Sequence, residues 1–130
     1  MKKIISILII FAILTGICIY EEIFIHKFIN EFSALTTQVS SELENNKDNI
    51  DVPIVKNQLL TLEKYWDNNK NKFCYLVMYD KIKMIDEGVA KLEIAINHND
   101  QALAQENIAV IECYTESLHY IMGFNINNLF

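Results

Sequence analysis

The sharpest local pattern of chemistry-bearing side chains in this sequence is Glu112, Glu116 and His119, at i, i+4 and i+7 of a helical stretch with one Glu-x-x-His step. A di-iron bundle needs two such steps, plus glutamates from two further helices, all aimed into the core. Here there is one, and its residues flank the apolar stripe of Ile108, Ile111 and Leu118. They are weak metal candidates, read as a solvated polar face, and no metal is assigned. His26 stands beside Lys27 and His98 sits in a polar turn, neither with cysteines or carboxylates at zinc-like spacing. With three glycines and three histidines, the chain offers no glycine-rich phosphate loop, nucleophile elbow or Ser-His-Asp set. No catalytic residue and no cofactor are therefore expected.

Cys74 and Cys113 could form a disulfide if the second and fourth helices are neighbours. Closing a loop of roughly 40 residues would contribute about 4 kcal/mol in the chain-entropy treatment. Cysteine is equally a small apolar filler, and a pair of free core thiols is the preferred reading.

The elements that would position these groups are helices. No Pro or Gly falls between Glu21 and Asn45, and Ile25, Phe28, Phe32, Leu35, Val39 and Leu43 recur in steps of three and four. One rod is expected to run past residue 40 and end in "ENNKDNID", with Asp51 as N-cap of a second helix and Pro53 in its first turn. Val55, Leu59, Leu62 and Trp66 mark that helix, which should continue with a bend through "DNNKNK" to Phe73, Leu76 and Val77, a break near Asn68 being the alternative. A reversal near Tyr79 to Lys81 leads to a third helix with Ile82, Ile85, Val89, Leu92 and Ile96. "NHND" ends it, with Asn99 or Asp100 capping a fourth, whose face is Ala104, Ile108, Ile111 and Leu118 and whose stop is Gly123. Nothing alternates with period two over a useful length. The fold class is all-α: an N-terminal transmembrane helix continuing into an antiparallel bundle of about four helices, or stacked helical hairpins.

The apolar run sets the location. Residues 4–20 carry no charge, with Lys2 and Lys3 before them and Glu21 and Glu22 after. Seventeen residues make roughly 25 Å of helix, the short end of a bilayer span. "ILTGICIYEE" lacks the small-residue pair of a secretory cleavage site, and Ile17 stands where a lipoprotein signal puts a small residue before the cysteine. An uncleaved anchor is expected: residues 1–20 form a cytoplasmic stub and transmembrane segment, and 21–130 an extracytoplasmic domain. The chain would be a single-pass cell-membrane protein. All 11 basic residues are lysines; setting Lys2 and Lys3 aside leaves nine against 17 acids. So acidic a domain is a poor partner for nucleic acid or anionic headgroups.

The anchor start "MKKIISI", the "LEKYW" of the second helix, the "IDEGVAKLEIAI" of the third and the ending "NINNLF" resemble a family of small proteins from spore-forming Gram-positive bacteria, the domain of unknown function 4363. The resemblance covers nearly the whole chain. It implies a membrane-anchored helical protein, often encoded beside a multi-pass membrane protein of the YetF type, and it defines no catalytic or binding residues.

The expectation is a non-catalytic extracytoplasmic interaction module, an accessory subunit of an integral membrane protein. The alternative is a ligand-binding sensor-type bundle that signals through a partner. Two apolar sets stand out as partner surfaces: Ile25, Phe28 and Phe32 on the rod, and Phe124, Ile126, Leu129 and Phe130 after Gly123. The second set is expected to fold back over the bundle, with a docking tail as the alternative.

Overall fold

The computed structural model describes residues 2–73 and 79–122, as four helices: α1 (Lys2–Asn45), α2 (Pro53–Phe73), α3 (Tyr79–Asn97) and α4 (Gln101–Met122). No strand occurs among the described residues. Leu76, Val77, Cys74 and the apolar residues after Gly123, with Gly123 itself, lie outside them.

At 44 residues α1 is about 66 Å long, twice the length of its partners. Its first half stands alone: residues 4–20 are all exposed, Phe11 at 69 %. This part is long and apolar enough to cross a membrane, a signature that membrane anchors and signal sequences share. From Ile25 onward the same helix enters the core, burying Ile25, Phe28, Phe32, Val39 and Leu43, with Leu35 half-buried. Neither Pro nor Gly interrupts the backbone between the two halves, so helical hydrogen bonding passes through the junction at Glu21 unbroken.

α1 packs against α2 and α4, and α3 against α4 and α2, while the backbones of the diagonal pairs stay farther apart. The result is a closed ring of four helices. Its sense follows from the ends. The Ile50 N–H donates to Asn99 Oδ1 at 2.7 Å, so the α1–α2 and α3–α4 loops share one end. At the other end Phe24 meets Phe73 with ring centroids 5.3 Å apart, and the Lys81 ammonium lies 5.1 Å over the Tyr114 ring. This is the up-down-up-down bundle that short connections impose. The apolar half of α1 leaves from the Phe24 end.

α2, α3 and α4 bury the residues that their 3.6-residue period selects, with Trp66, Leu92 and Ile111 among the fully enclosed. α2 runs unbroken through "DNNKNK" to a buried Phe73. α3 and α4 approach closely at Gly88, where a Cβ would stand 2.9 Å from Ile111 Cγ1. Among the described residues three polar side chains are buried as well. Thr36, Thr115 and Asn107 each donate to the carbonyl four residues back, at 2.9, 2.7 and 2.8 Å, which satisfies them without a partner helix.

Two local expectations are corrected. The Lys56 N–H reaches the Val52 carbonyl at 3.1 Å, so Val52 holds the cap position and Asp51 lies one step outside it. Pro53, preset for the first helical position, fixes that boundary, and the Asp51 carboxylate pairs instead with the Lys56 ammonium. Tyr79 to Lys81, expected as a reversal, is already the first turn of α3. Asp100 is the cap of α4, its Oδ1 accepting from the Leu103 N–H at 3.0 Å.

Candidate functional site: the grooves flanking the second helix

α2 meets α1 through rings. Phe28 stacks on Phe32 at 5.1 Å and on Tyr65 at 5.6 Å and meets Phe73 edge-on at 4.5 Å, while Trp66 leans on Phe32 at 5.5 Å. Each such pair contributes about 0.5–1.5 kcal/mol beyond its buried area. Beside these rings lies a furrow of about 470 Å³ lined by Glu31, Ala34, Leu35, Thr61, Tyr65 and Asn68. It runs on into a hollow of about 190 Å³ among Phe24, Lys27, Phe28 and Lys72, with Glu31 and Tyr65 common to both. The Tyr65 hydroxyl donates to Glu31 Oε2 at 2.7 Å, spanning the two. Burial, and then this bond to a carboxylate, push the Tyr65 hydroxyl's pKa well above that of an ordinary tyrosine. The furrow is therefore an apolar trough with one neutral phenol, one carboxylate and a lysine at each side of its lower mouth.

On the other side of α2 the seam with α3 is the loosest in the ring and is polar. The Trp66 indole N–H donates to Asp86 Oδ1 at 2.8 Å, and the Lys70 ammonium reaches the same oxygen at 3.0 Å and Asp67 at 2.8 Å. Burial would raise the Asp86 carboxyl, but the bonds from Trp66 and Lys70 outweigh it and hold the pKa below the usual range. Lys70 is raised, first by its bond to Asp67 and then by that to Asp86. A hollow of about 290 Å³ adjoins this clasp, lined by Glu63, Trp66, Asp67, Asp86, Val89, Ala90 and Glu93. Glu63 is raised by burial first and by Glu93 and Asp67 next. Four carboxylates in one hollow attract cations in general. Among the described residues no group of three or more His, Cys, Asp or Glu is arranged to hold a metal ion.

The residues singled out in the sequence are scattered. Glu112 is half-buried and Glu116 exposed on α4, and the His119 side chain lies outside the described set. Cys113 is a free thiol, exposed and not a core filler: it sits two residues past buried Ile111, about 200° around the helix and so on the opposite face. Its possible partner Cys74 is outside the described residues. Ile25, Phe28 and Phe32, offered as a partner surface, are buried in the chain's own bundle at 4 %, 1 % and 0 % exposure, because α2 and α4 already cover that face of α1. Phe124, Ile126, Leu129 and Phe130 fall outside the description. His98 Nδ1 lies 2.8 Å from the Ile94 carbonyl, a capping contact, and His26 is 4.0 Å from Glu22.

One structural residue was not legible from spacing. Asn99 adopts φ 54° and closes α3 with a pair of bonds, Asn99 N–H to Ile96 O at 3.1 Å and Asp100 N–H to Ala95 O at 2.9 Å. Its side chain meanwhile ties down Ile50 of the other loop. Asparagine tolerates that backbone and carries an acceptor, which glycine lacks.

No curated protein and no solved structure matches the chain. A family model does, over residues 23–129, from the start of the bundle onward: the domain of unknown function DUF4363. With more than three quarters of its length matched, the chain belongs to the DUF4363 family.

Proposed function

We propose that this protein is a membrane-tethered, non-catalytic helical module that serves outside the cytoplasm as an accessory subunit of an integral membrane protein. The observation that carries the reading is the continuity of α1. One helix supplies both a fully exposed apolar segment, residues 4–20, and a wall of the bundle core from Ile25 to Leu43. A flexible tether would let a domain roam, whereas an unbroken helix fixes its height and rotation above a bilayer, as a docking subunit requires. Lys2 and Lys3 before the apolar segment favour a cytoplasmic amino terminus. The α1–α2 furrow and the acidic α2–α3 seam would then face a partner from the side. A multi-pass membrane protein of the YetF type is the partner that the resemblance suggests.

Affinity capture of the tagged full-length chain from native membranes in mild detergent tests this. A stoichiometric multi-pass protein is the expected companion. Recovery of the chain without any integral membrane protein would count against an accessory role.

The furrow favours a second reading, a bundle that senses a small apolar molecule. Its volume is within the range of small-molecule sites, and its few polar groups converge at Glu31 and Tyr65. A melting-temperature screen in which Tyr65→Ala abolishes a ligand-induced shift would support it.

A further inference from the structure

We infer that the α1–α2 furrow binds a long-chain fatty acid, its carboxylate held between Lys27 and Lys72 and its chain laid upward along Tyr65 and Leu35. This rests on the reading of the furrow as a ligand site and names the ligand class. The furrow follows the helices: Thr61, Tyr65 and Asn68 line it at i, i+4 and i+7 of α2, facing Glu31, Ala34 and Leu35 of α1. From Phe24 in the adjoining hollow to Leu35 the α1 wall runs about 16 Å, a straight course that suits one unbranched chain. Three of the polar side chains along it are turned to their own protein. The Thr61 hydroxyl donates to the Asn57 carbonyl at 2.9 Å, the Asn69 amide to the Tyr65 carbonyl at 2.8 Å, and the Tyr65 hydroxyl to Glu31 at 2.7 Å.

Charge selects the head group. Lys27 and Lys72 both line the hollow at the lower mouth, against one carboxylate, Glu31. Lys27 touches Glu31 loosely, at 3.9 Å with the lysine side chain 72 % exposed, and Lys72 rests on neutral groups, donating to Asn69 Oδ1 at 3.1 Å and lying 5.3 Å over the Phe24 ring. The mouth thus carries one net positive charge, which a single carboxylate neutralises through charge-assisted hydrogen bonds; a second negative charge would be set against Glu31. Position supplies the ligand. Phe24 stands about 6 Å and Lys27 about 10 Å beyond Tyr20, the end of the apolar segment, so in a tethered chain both lysines lie at headgroup height. A lone acyl chain is held by a bilayer only marginally and reversibly, and so can pass into the furrow.

The test is photolabelling of the full-length chain in phosphatidylcholine vesicles, with a fatty acid bearing a diazirine near its methyl end and, as control, the fatty alcohol of equal length. Labelled residues are mapped by mass spectrometry. The acid should label Leu35, Ala34 or Thr61 severalfold more than the alcohol does, and Lys27→Gln with Lys72→Gln should bring it down to the level of the alcohol. Both probes should label residues 4–20 alike, an internal standard for the tether. Equal furrow labelling by acid and alcohol would overturn the fatty acid and keep an apolar-ligand site. A furrow unlabelled by either probe, with residues 4–20 labelled, would overturn both. Acid labelling of the furrow that survives the double lysine variant would also overturn the assignment. Furrow labelling that needs the lysines, without any label in residues 4–20, would refute the tether and keep the fatty-acid site.

Discussion

Several single side chains in this protein hold its joints. Asn99 meets two demands at once, a left-handed backbone and an acceptor for the Ile50 N–H. Asn99→Ala loses both and should destabilise the full chain in detergent by about 2–3 kcal/mol, whereas Asn99→Gly keeps the backbone and should lose about half as much. Denaturant melts followed by circular dichroism distinguish them. Asp86 and Glu63 respond to acid in opposite senses. The Asp86 carboxyl is lowered in the fold, so its contribution is present above the unfolded-state value near pH 4 and is lost as pH falls through the folded one. Glu63 is raised, so its charge opposes folding at neutral pH and acid relieves it. Asp86→Asn, which keeps an acceptor for the Trp66 indole, should flatten the acid limb of the melting-temperature profile. Glu63→Gln should raise stability at pH 7 and leave little difference at pH 4. A Glu63→Gln chain less stable than the parent at pH 7 would contradict the burial of that charge.

The elements show what a one-dimensional pattern can and cannot carry. Periodicity found every described helix and its buried stripe, because burial on one side of a helix leaves a 3.6-residue imprint wherever the partner comes from. Ile25, Phe28 and Phe32 are legible as a sticky face, yet nothing local says whether α2 or a foreign chain covers them. The same ignorance of neighbours hid the ring order, the furrow and the Asn99–Ile50 tie, all of which join residues far apart in sequence. Cys113 was misplaced for a simpler reason: its residue type suggested burial while its register, two past Ile111, put it outside. Gly88 lies at a close contact of α3 with α4, and Gly88→Leu should cost about 1–3 kcal/mol by overpacking against Ile111. Trp66→Ala, which removes the largest fully buried side chain, should cost about 3–5 kcal/mol. Equal melts for the Gly88→Leu variant and parent would show that α3 and α4 are not that close.

For the molecule as a whole, everything turns on α1. A bundle that is soluble in composition is welded to a segment that is not, through a helix with no hinge. If residues 4–20 sit in a bilayer, the Phe24–Phe73 end of the bundle rests at its surface, and the α1–α2 loop, with Asn99, stands some 30 Å away, the length of α2. The acid balance of the domain suits this position beside, and not on, anionic headgroups. The most direct test is protease accessibility in intact wall-less cells producing the full-length chain tagged at either end. Loss of a carboxy-terminal tag with retention of a membrane-bound amino-terminal fragment of about twenty residues is expected. Full protection of residues 21–130, or release of the intact chain by alkaline carbonate, would contradict a tethered extracytoplasmic domain.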